Sequence, residues 1–141
     1  MTTRTDIVAS ARTWVGTAFH HQARLKGVGV DCIGVVIGVA RELRLVAPGF
    51  DVLAYPRVPD GRDLMDLAAL HMTRTTEMRA GDVVVIRFGG DPQHFGILSD
   101  YRHGGLSMIH ADAKRKLVIE TRLLFSQHMQ FVAAFTLPGV D

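Results

Sequence analysis

One cysteine, one tryptophan and two tyrosines are all that 141 residues contain of these types. A single thiol excludes an internal disulfide, so Cys32 is a small buried filler, a metal ligand or a nucleophile. Long apolar runs are also missing, and no window approaches the roughly 18 apolar residues that a membrane span requires. The opening stretch MTTRTDIVASARTWVG holds no apolar segment of signal-peptide length, which argues against a cleaved leader. Nor is there an excess of one charge. Sixteen basic residues face fourteen acidic ones, and a net +2 is too weak and too evenly spread to point to nucleic acid.

What is present is an ordinary globular composition, 48% hydrophobic and 21% charged, with no repeat, low-complexity tract or linker. The reading is one domain over residues 1–141. A chain of this size buries roughly 68% of its unfolded surface, so it needs neither disulfide nor structural metal to fold.

In TDIVASARTWVG, Ile7, Val8, Ala11, Trp14 and Val15 recur on one helical face, with Thr5 as the expected cap and Gly16 as the expected end. Residues 17–30, rich in His and Gly, read as a loop. From Asp31 the chain is apolar on every side through Leu43, the pattern of a buried helix. Gly34 and Gly38 cost that helix about 1 kcal/mol each relative to alanine, so tertiary packing must hold it. Residues 46–59 read as irregular, and a shorter helix is expected from about Asp60 to Met72. The period then changes. GDVVVIRF (81–88), HFGILSD (94–100), LSMIHAD (106–112), KLVIETRL (116–123) and QFVAAFTL (130–137) are strand-like runs separated by turn residues such as Gly89-Gly90-Asp91-Pro92. Helices followed by a meander of strands indicate an α+β fold with an antiparallel sheet of about five strands, the helix at Asp31 packed across it.

That arrangement puts Cys32 in the first turn of a helix, where unpaired N–H groups and the helix dipole favour thiolate over thiol. The expectation is a thiol pKa well below the unperturbed value of about 8.5. A nucleophilic cysteine needs a base, and the base needs a third polar group to orient it. His94 opens a predicted strand at the sheet rim, and His110 lies on the next strand. His110 is therefore the candidate orienter, with Asp112 on the same strand face as the alternative. His71, His103 and His128 read as ordinary polar surface residues, while His20 and His21 stay open between the two roles.

Five fragments in order carry a resemblance. WVGTAF (14–19) is similar to a Gly-Thr-Pro-Tyr stretch, DCIG (31–34) to Asp-Cys-Ser-Gly and AGDVVVI (80–86) to a Pro-Gly-Asp strand start. HFGIL (94–98) is similar to His-Val-Gly-Ile, and MIHA (108–111) completes the set. Together they resemble the NlpC-type cell-wall cysteine peptidases, a papain-like α+β family, over about Ile7 to Leu137. The segment HHQARLKGVGVDC (20–32) resembles the branch encoded near phage tail genes and in gene transfer agents. The resemblance implies Cys32 as nucleophile, His94 as base and His110 as third member, with no cofactor. It implies hydrolysis of amide bonds in peptidoglycan stem peptides, including the γ-D-glutamyl to diamino acid link. The implied partners are that substrate and phage tail or gene transfer agent proteins, and the implied route is from the cytoplasm to the wall in a phage-like particle.

Three departures bear on the substrate groove. Phe19 stands where the family has tyrosine, Ile33 replaces the serine after the nucleophile, and His21-Gln22-Ala23 replaces Trp-Gly-Gly. His21, Gln22, Asp31 and Ile33 are accordingly the candidates for oxyanion or substrate contact. Three alternatives stand beside the peptidase. They are a zinc site from Cys32, His94 and His110, a non-catalytic tail or wall-binding module of the same fold, and an intracellular papain-like amidase or acyltransferase.

Overall fold

The computed structural model describes residues 1–52, 62–88 and 93–140. Among these residues the fold is α+β, with three helices, a short two-stranded hairpin and a six-stranded antiparallel sheet. No helix among them is long and apolar enough to cross a membrane.

Helix α1 (Arg4–Arg12) starts earlier than the expected Thr5 cap. Thr3 and Asp6 close a reciprocal capping box, the Thr3 hydroxyl accepting from the Asp6 N–H and the Asp6 carboxylate from the Thr3 N–H. Two orphan donors satisfied together outcompete a cap at Thr5. Ile7, Val8 and Ala11 are buried, and Trp14 follows at 3% exposure. Between α1 and the next helix the expected loop contains a hairpin, β1 (Arg24–Leu25) with β2 (Gly29–Val30). Its strands are two residues long, too short to show a period.

Helix α2 (Cys32–Glu42) begins at the expected place, with Asp31 as its N-cap, and every residue from Ile33 to Ala40 is buried. Its glycines have steric reasons. A Cβ on Gly38 would lie 2.2 Å from the Trp14 ring, and one on Gly34 would lie 2.5 Å from Val30 and 2.7 Å from the Ala23 carbonyl. Such approaches exclude any side chain. Gly38 thus admits Trp14 of the α1 end, and Gly34 admits the hairpin to the first turn of α2.

After α3 (Arg62–His71) come β3 (Thr73–Thr75), β4 (Val83–Arg87), β5 (Gln93–Asp100), β6 (Leu106–Asp112), β7 (Leu117–Arg122) and β8 (Gln130–Thr136). The expected helix start at Asp60 and the expected turn at 89–92 lie outside the described residues. All five expected strands are present, in the spatial order β3-β8-β4-β5-β6-β7. The additional member β3, Thr-Arg-Thr at the sheet edge, is polar and largely exposed and pairs with β8.

Both faces of the sheet are covered. Val83, Val85, Phe95, Ile97, Ile109 and Phe135 join the helices in the main core. Val84, Ile86, Leu98 and Met108 form a second cluster on the opposite face, beneath Met78, Phe88, Leu106, Leu123 and Met129. This explains why β4 reads as unbroken Val-Val-Val-Ile although the sheet is antiparallel, where one polar face is the usual arrangement. Each such buried side chain contributes about 1.5–3 kcal/mol.

Candidate active site

The site forms where α2 begins and where β5 and β6 part. Regular pairing of β5 with β6 runs from Asp100↔Leu106 to Ile97↔Ile109. Continued, it would set Phe95 opposite Ala111 and commit the Phe95 N–H to the ladder. That N–H instead faces the Cys32 sulfur, as do the Ile33 and Cys32 N–H groups of the first turn of α2, and all three favour the thiolate. The sheet thus opens by one hydrogen bond to admit the thiol.

His94, the residue before Phe95, and His110 lie on the sheet face away from the helices. His94 pairs with Ile86, and His110 is two residues from Met108, both of the second cluster. Their rings meet, His94 Nε2 lying 2.8 Å from His110 Nδ1 with the planes 81° apart. Phe88 packs on both imidazoles, at 5.5 Å from His94 and 6.3 Å from His110 between ring centres. The three candidates Cys32, His94 and His110 therefore converge at one end of β5. Among the described residues no hydrogen bond joins the thiol to an imidazole.

The electrostatics differ from the expectation of an activated thiolate. Burial pushes the Cys32 thiol up to about 12, opposed by the Phe95 N–H and reinforced by the Asp31 carboxylate. Desolvation outweighs the helix N-terminus here. Burial also brings His94 down to about 3, with His110 adding to the shift. His110 falls to about 4, again chiefly by burial, with Asp112 opposing and Arg115 assisting. Cys32 and His94 are each half-buried. At neutral pH the free site holds a neutral thiol and two neutral imidazoles.

Asp31 and Ile33 do not take the contact roles expected of them. Asp31 is 3% exposed, and its carboxylate accepts from the Gly34 N–H at 2.8 Å, the Gln22 N–H at 2.7 Å and the Arg24 guanidinium at 2.9 Å. It caps α2 and faces inward. Ile33 is 2% exposed and belongs to the main core, because the position after the first helical residue points toward the sheet. His21 and Gln22 stand beside the cap. His21 Nδ1 is 4.0 Å from Asp31 Oδ2, and Gln22 adopts a positive φ of 60° while donating its N–H to Asp31. Phe19 packs against the core, and Asp112 turns to the following loop, accepting from the Lys114 N–H at 2.8 Å. His71, His103 and His128 are dispersed, the first two against Phe50 and Tyr101 and the third in a turn at Ser126.

Sequence reasoning missed Arg24 and Phe88. Arg24 is 10% exposed at its side chain and binds both Asp31 and Asp51, a role that no local pattern signals. Phe88 sat within the fragment read as a strand. For the zinc alternative, the described residues contain no group of three or more His, Cys, Asp or Glu side chains placed to hold a metal ion.

No protein-family model matches the chain, and no curated protein does. Among solved structures, the chain is similar to an N-acetylmuramoyl-L-alanine amidase from Bacteroides uniformis ATCC 8492. The two are 10% identical, with a TM-score of 0.63 over 96% of this chain and 98% of that one. The likeness is one of fold.

Proposed function

We propose that the chain is a peptidoglycan hydrolase in which Cys32 attacks an amide bond of the stem peptide, as a cysteine endopeptidase of NlpC type. The observation that carries the reading is the placement, at the same end of β5, of a thiol on a helix N-terminus beside Phe95 and of the adjacent His94, paired with His110 at 2.8 Å. The amidase likeness adds a cell-wall context at the level of fold.

For His94 Nδ1 to accept a proton, Nε2 must carry one and donate to His110 Nδ1. His110 then holds its own proton on Nε2, which sets the tautomer of the base as the third member of a triad does. Because thiol and imidazole are both neutral at rest, the Cys32 proton passes to His94 as the sulfur–carbon bond forms. The Cys32 N–H and one further donor, His21 or Gln22, meet the oxyanion. His94 then protonates the leaving amine as the carbon–nitrogen bond breaks. Water, giving its proton to His94, cleaves the thioester and restores the thiol. A phage or gene transfer agent would supply the route to the wall.

The fold likeness favours a second bond, the muramoyl–L-alanine amide. Digestion of purified sacculi under reducing conditions, read by mass spectrometry, decides between them. An endopeptidase releases fragments cut within the stem, whereas an amidase releases whole stems and bare glycan. Cys32→Ala should release neither, and wild type releasing no new fragment would refute both readings.

A further inference from the structure

Arg24 sits at the hub of the segments around the nucleophile. Its guanidinium binds Asp31 Oδ1 at 2.9 Å, the Ala23 carbonyl at 2.9 Å, Asp51 Oδ1 at 2.9 Å and the Val52 carbonyl at 3.0 Å. It thereby joins the β1–β2 hairpin, the cap of α2 and the chain beyond α2. Asp51 also meets Arg41 at 3.5 Å and accepts from the Val52 N–H at 2.8 Å. Asp51 thus has partners besides Arg24. Asp31 is the carboxylate nearest in sequence to the thiol, and a buried negative charge one residue away opposes formation of a thiolate there.

We propose that Arg24 is a positioning residue for the Cys32 nucleophile, neutralising the Asp31 cap so that a carboxylate can hold the first turn of α2 without repelling the developing thiolate. The inference deepens the proposed function and rests on Cys32 acting as the nucleophile. A helix cap adjacent to a nucleophilic thiol has two conflicting requirements. The strongest caps carry oxygen, and aspartate adds a favourable charge for the helix dipole. That same charge disfavours ionisation of the neighbouring sulfur. A buried arginine fork eases the conflict by leaving the cap's hydrogen bond to Gly34 intact while offsetting part of its field. Gly34 is part of the device, since a Cβ there would lie 3.0 Å from Arg24 Nη1.

The test reads the thiol itself, independently of any substrate. Iodoacetamide alkylation of Cys32 is followed against pH for wild type, Arg24→Lys, Arg24→Met, Asp31→Asn and the Arg24→Met/Asp31→Asn pair, with folding checked by circular dichroism. The other titratable and charged groups around the thiol are kept constant. They are His21 beside the cap, His94 on β5 and its partner His110 on β6, on which Asp112 and Arg115 act in turn. Losing a nearby positive charge raises a thiol pKa by about one unit, so Arg24→Met should alkylate about tenfold more slowly at neutral pH. Arg24→Lys should recover most of the rate. The fields of the two charges add at the sulfur with opposite sign, so Asp31→Asn should speed alkylation and the Arg24→Met/Asp31→Asn pair should return to within about twofold of wild type. A pair as slow as Arg24→Met alone would show that Arg24 acts only through the fold and would overturn the proposal. Should Arg24→Met not fold, Arg24→Gln decides, since it removes the charge but keeps a donor for Asp31; its profile should move to higher pH, and an unmoved profile contradicts the inference. Failure of the peptidase reading would appear separately, as intact sacculi with a normal wild-type alkylation profile.

Discussion

Two aspartates, Asp31 and Asp82, are buried just ahead of a secondary-structure element, and each is bound by an arginine. Asp82 precedes β4. It accepts from Arg4 of α1, from the Thr136 hydroxyl at 3.0 Å and from the Arg79 N–H at 3.0 Å. It ties α1, β8 and the turn before β4 together. It is four positions along β4 from Ile86, the partner of His94, which places it about 13 Å from the histidine pair. Asp31 precedes α2 and is satisfied in much the same way, but the next residue is the thiol. The same buried ion pair therefore does one task at Asp82 and two at Asp31. There it stabilises an element and, on the proposed reading, also sets the charge felt by the Cys32 thiol.

Truncating each carboxylate should separate the two tasks. Asp82→Ala strands the partly buried Arg4 guanidinium and should cost about 3–5 kcal/mol in urea unfolding, while the protein that remains folded keeps the wild-type pH profile of Cys32 alkylation. Asp31→Ala should cost less, about 2 kcal/mol, because Arg24 keeps Asp51 and the loss is mainly that of a helix cap and its hydrogen bonds. Its alkylation profile, unlike that of Asp82→Ala, should move to lower pH. A shifted profile in Asp82→Ala would erase the contrast.

The pH dependence of stability sharpens the same contrast at smaller amplitude. His94 and His110 titrate near 3 and 4 when folded but near 6.5 when unfolded. The unfolded chain thus binds protons first on acidification, and stability is lost as pH falls from about 6.5 toward 3. Cys32 works in the opposite direction. Its folded value near 12 lies above the ordinary 9.0, so the unfolded thiol ionises first and stability declines as pH rises beyond 9.0. His94→Ala with His110→Ala should flatten the acid limb and Cys32→Ala the alkaline one. Thermal unfolding across pH reads both, and Asp82→Ala should leave the shape of the curve unchanged.

Much of the fold was legible in the residues, for identifiable reasons. The start of α2 at Asp31 and the five strand runs follow from apolar periodicity and turn residues, which report which faces are buried. The β1–β2 hairpin and the edge strand β3 carry no such signal, being two or three residues long and in β3's case polar. Thr3 was passed over as the cap of α1 because the reciprocal bond from Asp6 depends on both backbone positions. At the site, residue types and spacing singled out Cys32, His94 and His110, and the structure sets them at one end of β5. Two features escaped because they are properties of depth. Ile33 points into the core, and desolvation outweighs the helix N-terminus at the thiol. Arg24 escaped because its partners, Asp31 and Asp51, lie 7 and 27 positions away.

A single cysteine makes the central claim measurable by stoichiometry. Partial alkylation with iodoacetamide, followed by intact mass and by amine release from sacculi on the same samples, relates activity to Cys32 modification directly. Activity should fall in proportion to the carboxamidomethylated fraction, reach zero at one adduct per chain and be indifferent to chelators. A fully modified chain that still hydrolyses sacculi, or hydrolysis that a chelator stops while the thiol is intact, would contradict the account.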